Sequence, residues 1–126
     1  MNSTAYIQPA KKVADDVAVV RTQKFRDCAV EAIGESPAGT DDPTQSIEMM
    51  GEFGERDVPL PDGAAARFAF TVNMTTDGVT VPLCMDILLF GKGQVESLAT
   101  VTSAVNPPDD LVTAVTAQMV SKLNKQ

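Results

Sequence analysis

Four residues stand out for their chemistry: Arg67, Asp86, Cys28 and Cys84. Arg67 and Asp86 fall on neighbouring extended segments and have opposite charge. Such a pair is most simply a cross-strand ion pair, contributing about 0.2–1 kcal/mol at an exposed site. Cys84 as a nucleophile needs a base and a lowered thiol pKa. The chain has no histidine, which removes the usual general base and the commonest transition-metal ligand, and no lysine lies near Cys84 in the pattern. Asp41, Asp42 and Glu48 do not have EF-hand spacing and read as a solvated loop. The expectation is therefore a protein that is not an enzyme, with no catalytic residue, metal site or cofactor. Two cysteines fit a Cys28–Cys84 disulfide, which would stabilise by about 4 kcal/mol on the chain-entropy model. They equally fit two buried thiols.

These residues are positioned by a pattern that sharpens between Ala64 and Val105. Ala64, Ala66, Phe68, Phe70, Val72 and Met74 alternate with Ala65, Arg67, Ala69, Thr71 and Asn73. Beyond Asp77-Gly78, Val79, Val81, Leu83, Met85, Ile87 and Leu89 alternate with Thr80, Pro82, Cys84, Asp86, Leu88 and Phe90. Period two of this kind means β-strands, and Asp-Gly suits a tight hairpin. Pairing Met74 with Val79 sets Phe70 opposite Leu83 and Arg67 opposite Asp86; a two-residue loop shifts the partners but keeps the faces. A third strand follows from Gln94. A three-residue Gly91-Lys92-Gly93 loop puts Val95, Ala99, Val101 and Val105 on the Leu83/Leu89 face. Leu98 then joins Leu88 and Phe90 on the other face. Pro82 cannot donate to a ladder and implies an edge or a bulge.

Helices flank this meander. Pro9 to Ile33 has a Val13/Val17/Val20 stripe beside one made of Phe25, Cys28, Ala29 and Ala32. A break near Arg21 is allowed, with Thr22 capping a second helix and Gly34 ending it. Cys28 on the stripe is expected to be buried. Pro107-Pro108-Asp109-Asp110 starts a closing helix, with Leu111, Val115, Met119 and Leu123 as its stripe, joined by Val112 and Ala114. The fold class expected is α+β, an antiparallel sheet of at least three strands over 64–105 with an N-terminal and a C-terminal helix. Strand parity sets Cys84 opposite the Phe68/Leu83 face. A disulfide thus requires the first helix on the Cys84 side; the arrangement expected is an α/β/α sandwich with the last helix on the Phe68 side.

At 126 residues the chain is expected to be one domain over 1–126. Residues 35–62 form an acidic Gly/Pro-rich connecting loop. The net charge of −7 resides there, where only Arg56 opposes the carboxylates. No basic footprint is present for nucleic acid or anionic lipid. The longest apolar run, Ile87 to Phe90, is too short to span a membrane. The opening Met1-Asn2-Ser3-Thr4 reads as a trimmed or mature beginning. Within the loop, Gln45 to Met50 is the best candidate for a short strand.

Phe25-Arg26-Asp27-Cys28, Val58-Pro59-Leu60-Pro61, Val81-Pro82-Leu83-Cys84-Met85-Asp86 followed by Gly91-Lys92-Gly93, and Pro107-Pro108-Asp109 form a pattern of spacings over about residues 22–124. That pattern resembles secreted or lipid-anchored actinobacterial proteins of the PsbP-like and sensor-domain type. The resemblance implies a three-layer α/β/α sandwich, a cell-envelope location and no enzymatic activity. It carries over no catalytic residue.

The function expected is a non-enzymatic binding or accessory domain, secreted or in the cell envelope, holding a small apolar ligand between helix and sheet. A cytoplasmic location is the alternative. Met49, Met50 and Phe53 would line or cover such a pocket, or simply cap the core. The second reading is a protein-interaction or homodimerisation module. It would use Arg67, Asp86, Leu88, Phe90 and Leu98 as its partner surface, because an exposed Leu88/Phe90/Leu98 patch would need burying.

Overall fold

The computed structural model describes residues 2–35, 54–104 and 107–125. The chain runs β1 (Asn2–Ile7), α1 (Ala10–Val20), α2 (Gln23–Glu35), β2 (Gly54–Glu55), β3 (Ala66–Thr76), β4 (Val79–Lys92), β5 (Val95–Ala104) and α3 (Asp109–Leu123). The strands form one antiparallel sheet in the order β1-β5-β4-β3-β2. The fold is α+β, with the β3-β4-β5 meander at its centre. The expected Gln45–Met50 strand and the carboxylates Asp41, Asp42 and Glu48 lie outside the described residues, as do Met49, Met50 and Phe53.

Both meander turns are two-residue turns. Thr76 pairs with Val79, and Asp77 and Gly78 both take positive φ, 52° and 78°. This is the primed geometry whose twist matches the strands it joins. The register sets Phe70 opposite Met85, Ala69 opposite Asp86 and Arg67 opposite Leu88. Arg67 and Asp86 are thus diagonal rather than direct partners, still within reach of a long side chain. At the second turn Lys92 pairs with Val95 and Phe90 with Ser97. The expected three-residue loop is corrected by this pairing. Val95, Ala99 and Val101 share the face of Leu88 and Phe90, while Leu98 lies opposite Leu89 on the other face. The one-residue difference moves every side chain of β5 across the sheet. Sequence alternation could not decide it, because both faces of the sheet are covered. Pro82 pairs with Asn73 of β3, and among the described residues the β4–β5 pairing begins at Leu83 and Ala104.

The helices also take the faces opposite to those expected. Phe25, Ala29 and Val30 of α2, with Val20 of α1, pack on Ala66, Phe68 and Phe70. Val112, Val115 and Leu123 of α3 pack on Leu88, Phe90, Ala99 and Val101, with Met119 and Val120 against the cluster. Leu111 and Ala114 face outward instead. A backbone detail favours α1 on the Leu89 side. A Cβ on Gly91 would overlap Val17 Cγ2 and stand 3.1 Å from Val13 Cγ1, so the missing side chain lets α1 approach the strand. The break between α1 and α2 is as the sequence predicts. Thr22 Oγ1 accepts the Phe25 N–H at 3.2 Å, the expected N-cap. Gly34 does not stop α2, which extends to Glu35.

β1 is the element the sequence reading missed. It adds to β5 from Ile7↔Val95 to Asn2↔Thr100 and is exposed along its whole length. A six-residue polar edge strand carries little hydrophobic periodicity to detect.

This arrangement answers the cysteine question. Cys84 is buried on the α3 face, whereas Cys28 is exposed on α2, on the opposite side of the sheet, and both are free thiols. The disulfide expectation and the burial of Cys28 are both corrected. Once α2 turns Phe25, Ala29 and Val30 inward, Cys28 points away. Titration of the folded chain with a thiol reagent is expected to label Cys28 at once and Cys84 only on unfolding. A native chain with no reactive thiol before reduction would contradict this placement.

Candidate functional site

The Arg67–Asp86 pair is real but is not a surface pair. Asp86 is fully buried and Arg67 nearly so. Arg67 Nε donates to Asp86 Oδ2 at 2.7 Å. Its Nη1 donates to the Pro59 carbonyl at 3.1 Å and its Nη2 to Asp109 Oδ1 at 2.9 Å. Asp86 Oδ1 accepts from Arg56 Nη2. The Arg67 carbonyl accepts from Arg26 Nη1 at 3.4 Å, and the Arg26 guanidinium lies 5.5 Å from the centroid of the Phe68 ring. A carboxylate without water must be paired and hydrogen-bonded, and both Asp86 oxygens are. The network ties β4 to β3, to the segment after β2 and to the start of α3. Arg67 donates to Asp86, Pro59 and Asp109, and both Asp86 oxygens accept, while Arg56 Nε is buried with no partner among the described residues; the role of the network is to position elements.

Arg56 and Asp109 are members the sequence reading did not assign. Asp109 carried a signal, as an acidic residue in a helical first turn. Arg56 had none beyond being the lone cation of an acidic loop. Replacing Asp86 with Asn leaves two buried guanidinium groups facing a neutral amide. A loss of about 3–5 kcal/mol is expected, as for breaking other buried pairs. Asp109→Asn removes a carboxylate whose side chain is 64% exposed, and should cost below about 1 kcal/mol. Urea unfolding of the two variants checks the contrast; similar small losses would show that the network does not hold the elements.

The open space lies elsewhere. A cleft of about 150 Å³ sits between α1 and the sheet, lined by Tyr6, Val17, Val20, Ala65, Leu89 and Leu98 among others. Tyr6 of β1 and Leu98 of β5 belong to the same sheet face, since Tyr6 pairs with Glu96 and Thr4 with Leu98. The lining is almost wholly apolar. Its carboxyl-bearing exceptions are Asp16 of α1 and Glu96 of β5. Of the expected surface residues, Leu98 and Phe90 border this cleft. Leu88 and Phe90 are core residues beneath α3, so the exposed Leu88/Phe90/Leu98 patch does not exist. A larger groove runs between the α1–α2 junction and residues 57–60. It is more polar, and Arg26 there is already engaged with Arg67 and Phe68.

Asp16 of α1 and Glu96 of β5 line the same cleft and influence each other's titration. Burial pushes the Glu96 carboxyl above the usual range, and the neighbouring Asp16 carboxyl adds to the rise. Asp16 is held below its usual range, first by the Lys12 ammonium and then by Glu96. A raised carboxyl contributes stability below its unfolded pKa and loses it as pH rises through the folded value. Asp16 works in the opposite sense, losing its contribution as pH falls through its lowered value. Glu96→Gln offers Asp16 an amide donor without the charge. Its melting temperature relative to the parent chain should therefore be higher at about pH 7.5 than at about pH 4. A difference that does not change with pH in circular-dichroism melts would dismiss the coupling of the two acids.

Comparison with family models, with curated proteins and with solved structures finds no match. The reading of this site therefore rests on its own residues.

Proposed function

We propose that this chain is a non-enzymatic binding domain of the cell envelope that holds a small apolar molecule between α1 and the sheet. The observation that carries the reading is the cleft bounded by Val17, Val20, Leu89 and Leu98. Ligand sites are concave and mostly apolar with few polar groups, and a cavity of about this volume holds a benzene-sized ring. The rest is consistent with binding rather than turnover. The chain has no histidine, Cys84 is buried, and the Arg67–Asp86 pair is occupied in holding elements together. The envelope location rests on the resemblance in residue spacing described above.

Dimerisation through Leu88, Phe90 and Leu98 has lost its motive, since the first two are covered by α3.

Nuclear magnetic resonance titration of the full chain with toluene tests the proposal. Saturable shifts are expected at Val17, Val20, Leu89 and Leu98, and Leu98→Phe, which fills the cleft, should weaken binding at least about tenfold, about 1.4 kcal/mol. Shifts that do not saturate, or that are unchanged by the filling substitution, would overturn it.

A further inference from the structure

The apolar cleft has one polar wall, and its charges do not balance. Lys12, Asp16 and Glu96 meet where α1 crosses β5. Lys12 Nζ is paired with Asp16 Oδ2, and both side chains are substantially exposed. That ion pair satisfies Asp16. Glu96 is different: its Oε1 is buried and receives no donor from a nitrogen or hydroxyl group among the described residues. Its neighbour across the cleft wall is the Asp16 carboxyl, which has no hydrogen to donate when ionised. With both acids ionised the trio carries one uncompensated negative charge at the edge of an apolar wall.

Two carboxyl groups in one wall of an apolar cleft, one with a buried oxygen that has no partner, offer a place for a cation. An ammonium supplies several donors, and it removes the repulsion between like charges. An ammonium carried on an apolar body fits both parts of the cleft. The body would lie among Val17, Val20, Leu89 and Leu98, and the charged end at Glu96 and Asp16. A free metal cation would gain nothing from the apolar wall, and a neutral hydrocarbon would leave the acids as they are.

We propose that the ligand of this cleft is a small apolar amine, bound as its ammonium ion between Glu96 and Asp16. The ammonium supplies the positive charge and the donors that this wall lacks. This rests on the apolar-ligand reading above and narrows it to one chemical class. Glu96 is a recognition residue here, Asp16 its partner, and Lys12 the group that keeps Asp16 ionised.

The test compares three probes of similar shape, toluene, benzyl alcohol and benzylamine, by nuclear magnetic resonance titration of the full chain near pH 7.5. Benzylamine is expected to bind about tenfold more tightly than benzyl alcohol, a difference of about 1.4 kcal/mol, with shifts centred on Val17, Leu98, Asp16 and Glu96. Glu96→Gln keeps the shape of the side chain and should bring that ratio close to one while leaving toluene binding in place. Asp16→Asn should also reduce the ratio. Toluene and benzyl alcohol binding with no advantage for the amine, or an advantage that survives Glu96→Gln, would overturn the amine proposal and leave the apolar cleft standing. Failure of all three probes to bind would overturn both.

Discussion

The carboxylate of Asp86 is the constraint on which much of the structure depends. It sits on the central strand β4 with no exposure to solvent. A buried charge of that kind is tolerated only when opposite charge and donors surround it. Arg67 reaches it diagonally from β3, and Arg56 reaches it from the segment that follows β2. Arg67 then spends its remaining donors on the Pro59 carbonyl and on Asp109. One buried charge thereby sets the path of residues 56–59 and the point where α3 meets the sheet. Coulomb attraction in a dry interior is the reason these connections are specific as well as attractive.

Around that point the sheet is covered on both sides, by unlike means. The α3 face is closed by Val112, Val115 and Leu123 over Leu88, Ala99 and Val101. The other face is covered by two shorter helices, with Phe25 near Phe68 at a ring-centroid distance of 6.1 Å. Coverage there is less complete. Where α1 crosses toward β5 and β1, Val17 and Val20 leave a gap over Leu89 and Leu98. The close approach at Gly91 fixes one end of α1, and the Lys12–Asp16–Glu96 cluster lies along the same crossing. The cleft is thus a consequence of how α1 seats on a sheet that is too wide for two short helices to cover.

Binding at such a place links ligand to fold. A molecule that fills the gap adds apolar contact between α1 and the sheet, and so stabilises the folded chain by mass action. The acids at its edge add a polar term to an otherwise non-directional site. Functional sites often combine a shaped apolar wall with a few convergent polar groups, and this crossing has both.

The sequence by itself determined the α+β class, the hairpin at Asp77-Gly78, the Thr22 cap and the charged pair Arg67/Asp86. Each of these depends on residues near one another in the chain or on an alternation that the backbone enforces. It did not determine which helix covers which face. Both faces carry apolar side chains, so alternation is equally satisfied by either arrangement and by either register at Gly91–Gln94. Cys28 and Cys84 were assigned to one side on that basis and are on opposite sides. Nor did it reveal β1, whose side chains are exposed and whose place comes from hydrogen bonds to β5. Asp16 and Glu96 are eighty residues apart in sequence terms only; their meeting needs α1 laid across β5. Tertiary structure decided these points because they depend on packing between elements, which no local pattern encodes.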